Sequence, residues 1–169
     1  MELIKEIFGI VRIYKLKSRM DERGLLTYAY DGIEGYEVKE TRLYDMPQKG
    51  TFFGIHYREI DAPMSKLVTV IKGCGTDYVI DLRKESETYL KWEALELTED
   101  NFLAVYVPAG IGHAFISTQD DTMQLFFIDK SGDDGYSKKL NHKEEKIGLK
   151  LPIPVTEISD YDADAPFLK

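Results

Sequence analysis

Tyr89-Leu90-Lys91-Trp92-Glu93-Ala94-Leu95-Glu96-Leu97 interleaves charged and apolar residues along its length. A repeat of two sends successive side chains to opposite faces of a strand, here one wet and one buried. Runs of similar length recur around it, at Thr51–Tyr57 and at residues 66–71, 77–82, 102–107, 114–116 and 123–128. Turn formers separate them: Gly73 and Gly75, residues 98–101, Pro108 to Gly112, and residues 119–121. Many short strands with polar turns predict an all-β sandwich or barrel. Helical signals are scarce. Residues 1–11 fit a short helix or an edge strand, and the polar, lysine-rich residues 135–146 read as a surface helix turn or loop. Residues 152–169 carry Pro152, Pro154, Pro166 and several Asp, which predicts an extended tail packed over the barrel. There is no internal repeat, linker composition or low-complexity segment, so 1–169 reads as one domain.

Composition narrows the function classes. A chain of 169 residues with 43% apolar side chains has enough material for one core. The net charge of −8 argues against a nucleic-acid partner, which would need a basic face. A small anion is still allowed, because a few placed Arg and Lys side chains hold a phosphate locally. Mean hydropathy is −0.32, and no apolar stretch reaches the length of a membrane span. The N-terminus shows no signal-peptide pattern. Cys74 is the only cysteine, which removes an internal disulfide and a cysteine-based metal site. The expectation is a cytoplasmic protein with a small-molecule partner and no membrane partner.

Three histidines are candidates for chemistry. His56 lies in the strand pattern Gly54-Ile55-His56-Tyr57-Arg58, and His113 follows the turn Val107-Pro108-Ala109-Gly110-Ile111-Gly112. Taken singly, a strand histidine is as readily a hydrogen-bonded core residue as a functional one. His142 sits among Lys and Glu and reads as solvated surface. A metal site would need more donors: two residues after His56 stands Arg58, a cation that cannot ligate. His56 and His113 alone are too few for a transition-metal centre, so no metal is expected. Arg23, Lys66, Asp81, Arg83 and Asp162 look singly like surface charges. Lys66 and Asp81 adjoin strongly apolar runs, and a charge facing a barrel interior is costly unless paired or used.

In order along the chain, several blocks form a pattern. They are Asp21-Glu22-Arg23-Gly24, Gly54-Ile55-His56-Tyr57, Ser65-Lys66-Leu67-Val68, Asp81-Leu82-Arg83-Lys84 with Thr88 and Lys91-Trp92, Val107 to Phe115, and Ile158-Ser159-Asp160-Tyr161-Asp162-Ala163. Together they resemble the dTDP-4-dehydrorhamnose 3,5-epimerase family over nearly the whole chain. The resemblance implies a cupin-type jelly-roll β-barrel with short peripheral helices, and a homodimer that shares N-terminal strands. It implies a nucleotide-sugar substrate and no cofactor. His56 would be the general base, oriented by Asp162, and Lys66 would stabilise an enolate at the C4 ketone. His113 and Arg23 would contact substrate.

Departures from the family pattern touch the other half of the chemistry. Phe53 stands where the family has Arg, and Arg58 where it has Gln. Phe127 aligns with the family's acid tyrosine, and Gly132 and Asp133 with its base-stacking aromatic pair. The family's Q-x-N segment has no counterpart near residues 41–43. Phe53, Arg58 and Phe127 are therefore expected to shape a modified substrate pocket. An epimerase acting at C3, C5 or both, a related keto-sugar isomerase and a non-catalytic sugar- or nucleotide-binding cupin all fit these residues.

Overall fold

A computed structural model describes residues 1–131 and 134–169. The strands are β1 (Glu2–Ile7), β2 (Val11–Lys15), β3 (Lys17–Asp21), β4 (Gly24–Tyr28), β5 (Glu40–Met46), β6 (Thr51–Tyr57) and β7 (Lys66–Lys72). They continue as β8 (Cys74–Asp81), β9 (Trp92–Thr98), β10 (Leu103–Val107), β11 (Ile111–Ser117), β12 (Thr122–Ile128), β13 (Lys138–Lys139) and β14 (Glu157–Ile158), followed by the helical turn α1 (Asp160–Ala163). One sheet has the order β1-β2-β10-β7-β12-β5 and the other β13-β6-β11-β8-β9, with β14 pairing β6 in parallel. The two antiparallel sheets face each other as a jelly roll, and β3–β4 form a separate hairpin.

Alternation along each strand decides which side chains fill the barrel. Val11, Ile13, Met46, Val70, Val79, Val105, Ile111 and Phe115 form the inner core. The outer face of the second sheet carries Phe52, Ile55, Tyr78 and Ile80, covered by tail residues including Ile147, Leu151 and Leu168. Tyr78 Oη donates to the Lys150 carbonyl at 2.9 Å and Trp92 Nε1 to the Ile147 carbonyl at 3.1 Å, so the tail is hydrogen-bonded as well as buried. The outer face of the first sheet carries Tyr14, Leu67 and Ala104, covered by Tyr30 and Tyr36.

The strand pattern and the tail match the sequence reading. The expected peripheral helices reduce, among the described residues, to the single turn α1. Residues 1–11 are a strand and the start of its hairpin partner, and 135–146 hold the short β13 and turns. His142 is half-buried against Phe52, ring centroids 4.9 Å apart, rather than solvated, and loss of water lowers its pKa.

Candidate functional site

Two histidines meet on the inner face because β6 carries an irregularity. His113 pairs with His56 and Phe115 with Phe53, so β6 spends one more residue than β11 over that interval. Strict alternation would send Phe53 and His56 to opposite faces. The extra residue turns both inward, as a β-bulge does. Gly54 makes this fit: its φ is +118°, and a Cβ there would lie 2.6 Å from the His113 carbonyl oxygen.

The Gly54 amide also helps to hold the carboxylate behind His56. Asp162 Oδ1 is 2.6 Å from His56 Nε2, and Oδ2 accepts from the Gly54 amide at 3.1 Å. Asp162 reaches this point from the far end of the chain. Ile158 pairs with Phe52, and Ser159 caps α1 by accepting from the Asp162 amide. Asn141 Nδ2 donates to the Ala163 and Ala165 carbonyls. Burial alone would raise the Asp162 carboxyl pKa, but the hydrogen bonds from His56 and Gly54 outweigh it and hold the pKa below its ordinary value. An ionised carboxylate fixes the imidazole tautomer and stabilises the imidazolium once a proton is taken.

Lys66 projects inward from β7 beside a second imidazole–carboxylate pair. His113 Nε2 is 2.7 Å from Asp77 Oδ2, and both residues are buried. Loss of water pushes Lys66 down to about 8, with Asp77 opposing the shift and Arg42 adding to it. His113 is lowered too, chiefly by burial, against the pull of Asp77. Lys66 lies over the Phe126 ring at 5.8 Å. A cation in such a site stabilises a negative oxygen more strongly than it would in water.

Arg58 and Phe53 are near this cluster, whereas Phe127 and Arg23 are not. Arg58 is 3% exposed and pairs with Asp134 at 2.6 Å. Its Nε and Nη1 have no acceptor among the described residues, Asp77 Oδ1 has no donor, and the Gln124 amide has neither. Buried polar atoms of this kind are normally satisfied by water or a ligand. His56, Arg58, Met64 and Lys66 line one small pocket. A cleft of about 420 Å³ adjoins it at Tyr57 and Arg58 and extends to Lys84 and Tyr89.

Phe127 corrects the sequence reading. It packs on the outer face, stacked on Tyr30 at 5.4 Å, and the inward aromatic on β12 is its neighbour Phe126. One residue of slip in an alignment exchanges the faces of a strand. Arg23 sits on the β3–β4 hairpin, exposed and paired with Asp21 at 2.6 Å, and one chain alone does not bring it to the pocket. Asp81 is structural: its buried carboxylate accepts from Arg83, Ser86 and Thr88 and ties down the loop that follows β8. Gly132 and Asp133 lie outside the described residues.

Sequence reasoning passed over Asp77, Tyr44 and Phe126. Asp77 alone carried a signal, as a carboxylate opening the apolar run Tyr78-Val79-Ile80. Among the described residues no three His, Cys, Asp or Glu side chains converge as metal ligands, and no helix is long and apolar enough to cross a membrane.

Comparison with known proteins places this geometry in a family. The sequence profile described as dTDP-4-dehydrorhamnose 3,5-epimerase matches residues 5–169. A dTDP-4-dehydrorhamnose 3,5-epimerase of Mycolicibacterium smegmatis is 28% identical over 160 residues, which cover 89% of this chain and 77% of that protein. The crystal structure of a Bacillus anthracis dTDP-4-dehydrorhamnose 3,5-epimerase with TDP and PPi bound has the same fold. Its TM-score is 0.92 at 23% identity, over 99% of each chain. A 3'-monoepimerase from Streptomyces bikiniensis in complex with dTDP-quinovose superposes with a TM-score of 0.87 at 25% identity, over 99% of this chain and 87% of that one. The inward imidazole with its tail-borne carboxylate thus sits in a chain that belongs to the dTDP-4-dehydrorhamnose 3,5-epimerase family of cupin-type sugar-nucleotide isomerases.

Proposed function

We propose that this chain inverts C3, C5 or both in a 4-keto-6-deoxyhexose carried on a nucleoside diphosphate. The observation that carries the reading is the 2.6 Å contact between His56 Nε2 and Asp162 Oδ1 at the inner wall of the barrel. The C4 ketone acidifies the hydrogens on its neighbouring carbons. His56 takes one of them as general base, with Asp162 stabilising the imidazolium. The electron pair moves onto the C4 oxygen, where the Lys66 ammonium stabilises the enolate. His113, held by Asp77, and Phe53 shape the wall of the sugar site. Arg58 offers its two unpartnered nitrogens to substrate oxygens.

Arg23 enters this reading through a homodimer. The β3–β4 hairpin exposes Met20, Leu25, Leu26 and Tyr28, an apolar surface that a second copy would cover. Docked in that way, the hairpin would carry Arg23 toward a neighbouring barrel and its substrate's phosphates. The free thiol of Cys74 fits a reducing, cytoplasmic setting.

The test is incubation with dTDP-4-dehydro-6-deoxyglucose in deuterated water. Deuterium at C3 or C5, with an inverted product, is the expected result. No incorporation at either carbon overturns the proposal.

A further inference from the structure

The proposed reaction needs a second proton carrier, and the barrel's inward ring on β12 cannot be it. Phe126 faces His113 at 6.1 Å and lies under Lys66, and a phenyl ring has no acidic proton. Beside Phe126, on the neighbouring strand β5, stands Tyr44. Its ring is 4.9 Å from that of Phe126 and 4.8 Å from that of Phe53, and it packs against the inner core cluster. Tyr44 is half-buried, so its ring is anchored while part of the side chain remains accessible. Arg42, two residues before Tyr44 on β5, pairs with Glu40, and its charge is felt by both Tyr44 and Lys66.

The other tyrosines near the site are placed differently. Tyr30, Tyr36 and Tyr106 pack with Phe127 on the outer face of the first sheet, and Tyr57 and Tyr78 belong to the outer cluster of the second. The Tyr161 ring lies 6.0 Å from that of His56, close to the base and beneath the Lys139 ammonium. Among the described residues, Tyr44 is the tyrosine packed into the inner core, on the sheet that faces the one bearing His56.

We propose that Tyr44 is the catalytic acid of this chain, delivering a proton to the face of the sugar opposite His56. This rests on the epimerase reading above. His56 removes the C–H proton and the bond's electron pair passes to the C4 oxygen beside Lys66. As that pair returns to carbon, the Tyr44 O–H bond breaks and its proton forms the new C–H bond with inverted configuration. The phenolate left near Arg42 regains a proton from water, and the His56 imidazolium releases the one it took to water, which restores both groups. A phenol missing from β12 is thus replaced by one on the adjacent strand, and Phe126 becomes the apolar wall that orients it.

The full-length protein tests this with the keto-sugar in deuterated water, following inversion and deuterium incorporation separately. In Tyr44→Phe, inversion should fall by about a hundredfold or more. Deuterium should still enter the unreacted epimer from the His56 face, within about threefold of the unaltered rate, which also reports an intact fold. Adding Phe126→Tyr to that variant should recover inversion by about tenfold. Inversion by Tyr44→Phe at an unchanged rate overturns the assignment. A parallel loss of incorporation and inversion overturns it too, because it marks a packing role. Absence of incorporation by the unaltered protein overturns the epimerase reading and Tyr44 with it.

Discussion

Two imidazole–carboxylate pairs stand side by side, their histidines facing each other across β6 and β11 and their carboxylates coming from α1 and β8, and their surroundings differ. His56 and Asp162 meet at 2.6 Å, with side-chain exposures of 36% and 3%. His113 and Asp77 meet at 2.7 Å, with exposures of 5% and 0%. In the first pair the carboxylate is sealed and the ring is reachable, so the ring can accept a proton from a molecule in the barrel. In the second both groups are sealed, and burial lowers the His113 pKa, which favours a neutral ring that acts as a fixed dipole. Hydrogen-bond geometry is shared, so access and desolvation separate a reachable ring from a sealed one.

The largest effect should come from the reachable ring. His56→Ala should lower deuterium incorporation by about a thousandfold or more while leaving the melting temperature nearly unchanged, measured by mass spectrometry and by thermal unfolding. Lys66→Met should cost about a hundredfold in turnover, since it removes the cation at the developing oxyanion. Asp162→Asn should cost somewhat less, on the order of tenfold to a hundredfold. The imidazole is kept, but its orientation and the stabilisation of its charged form are lost.

The sealed pair should respond in stability before activity. Asp77→Asn removes the carboxylate held against His113 and should destabilise the fold by about 2 kcal/mol, read by denaturant unfolding, with a smaller loss of turnover. If Asp77→Asn abolished turnover without a stability cost, the distinction between the two pairs would collapse.

The smallest effect concerns pH. The Lys66 pKa is depressed to about 8, so its ammonium is complete below that value and is lost as pH rises through it. Turnover should therefore fall on the alkaline side from about 8. Arg42 pushes Lys66 down, so Arg42→Gln should move that fall to higher pH. A pH–rate profile of the two proteins measures the shift.

Much of the barrel could be read from residue order. The limits Thr51–Tyr57 agree with β6, and the core runs of β7, β8, β10 and β12 fall where period-two patterning puts them. The β3–β4 hairpin was not legible, because residues 17–28 expose nearly all their side chains and alternate in no hydrophobic sense. β5 was missed for a related reason: most of its residues are exposed, and the face it shares with Phe126 and Ile128 carries Glu40, Arg42, Tyr44 and Met46, of which only Met46 is apolar throughout. Matching motif blocks singled out His56, Lys66, His113 and Asp162 together as candidates. The same matching misassigned Phe127, since an alignment carries residue order without strand facing.

Local chemistry alone dictated that these 169 residues form short antiparallel strands around an apolar core, because side-chain alternation is a property of neighbours along the chain. It also dictated that an imidazole and a lysine lie on strands bordering that core. Which face each side chain takes at the bulge was decided only when β6 met β11 with one residue to spare. That Asp162 stands behind His56, 106 positions away, was decided only when the tail docked over the second sheet. Long-range contacts of this kind depend on two surfaces burying each other, and no local periodicity encodes them.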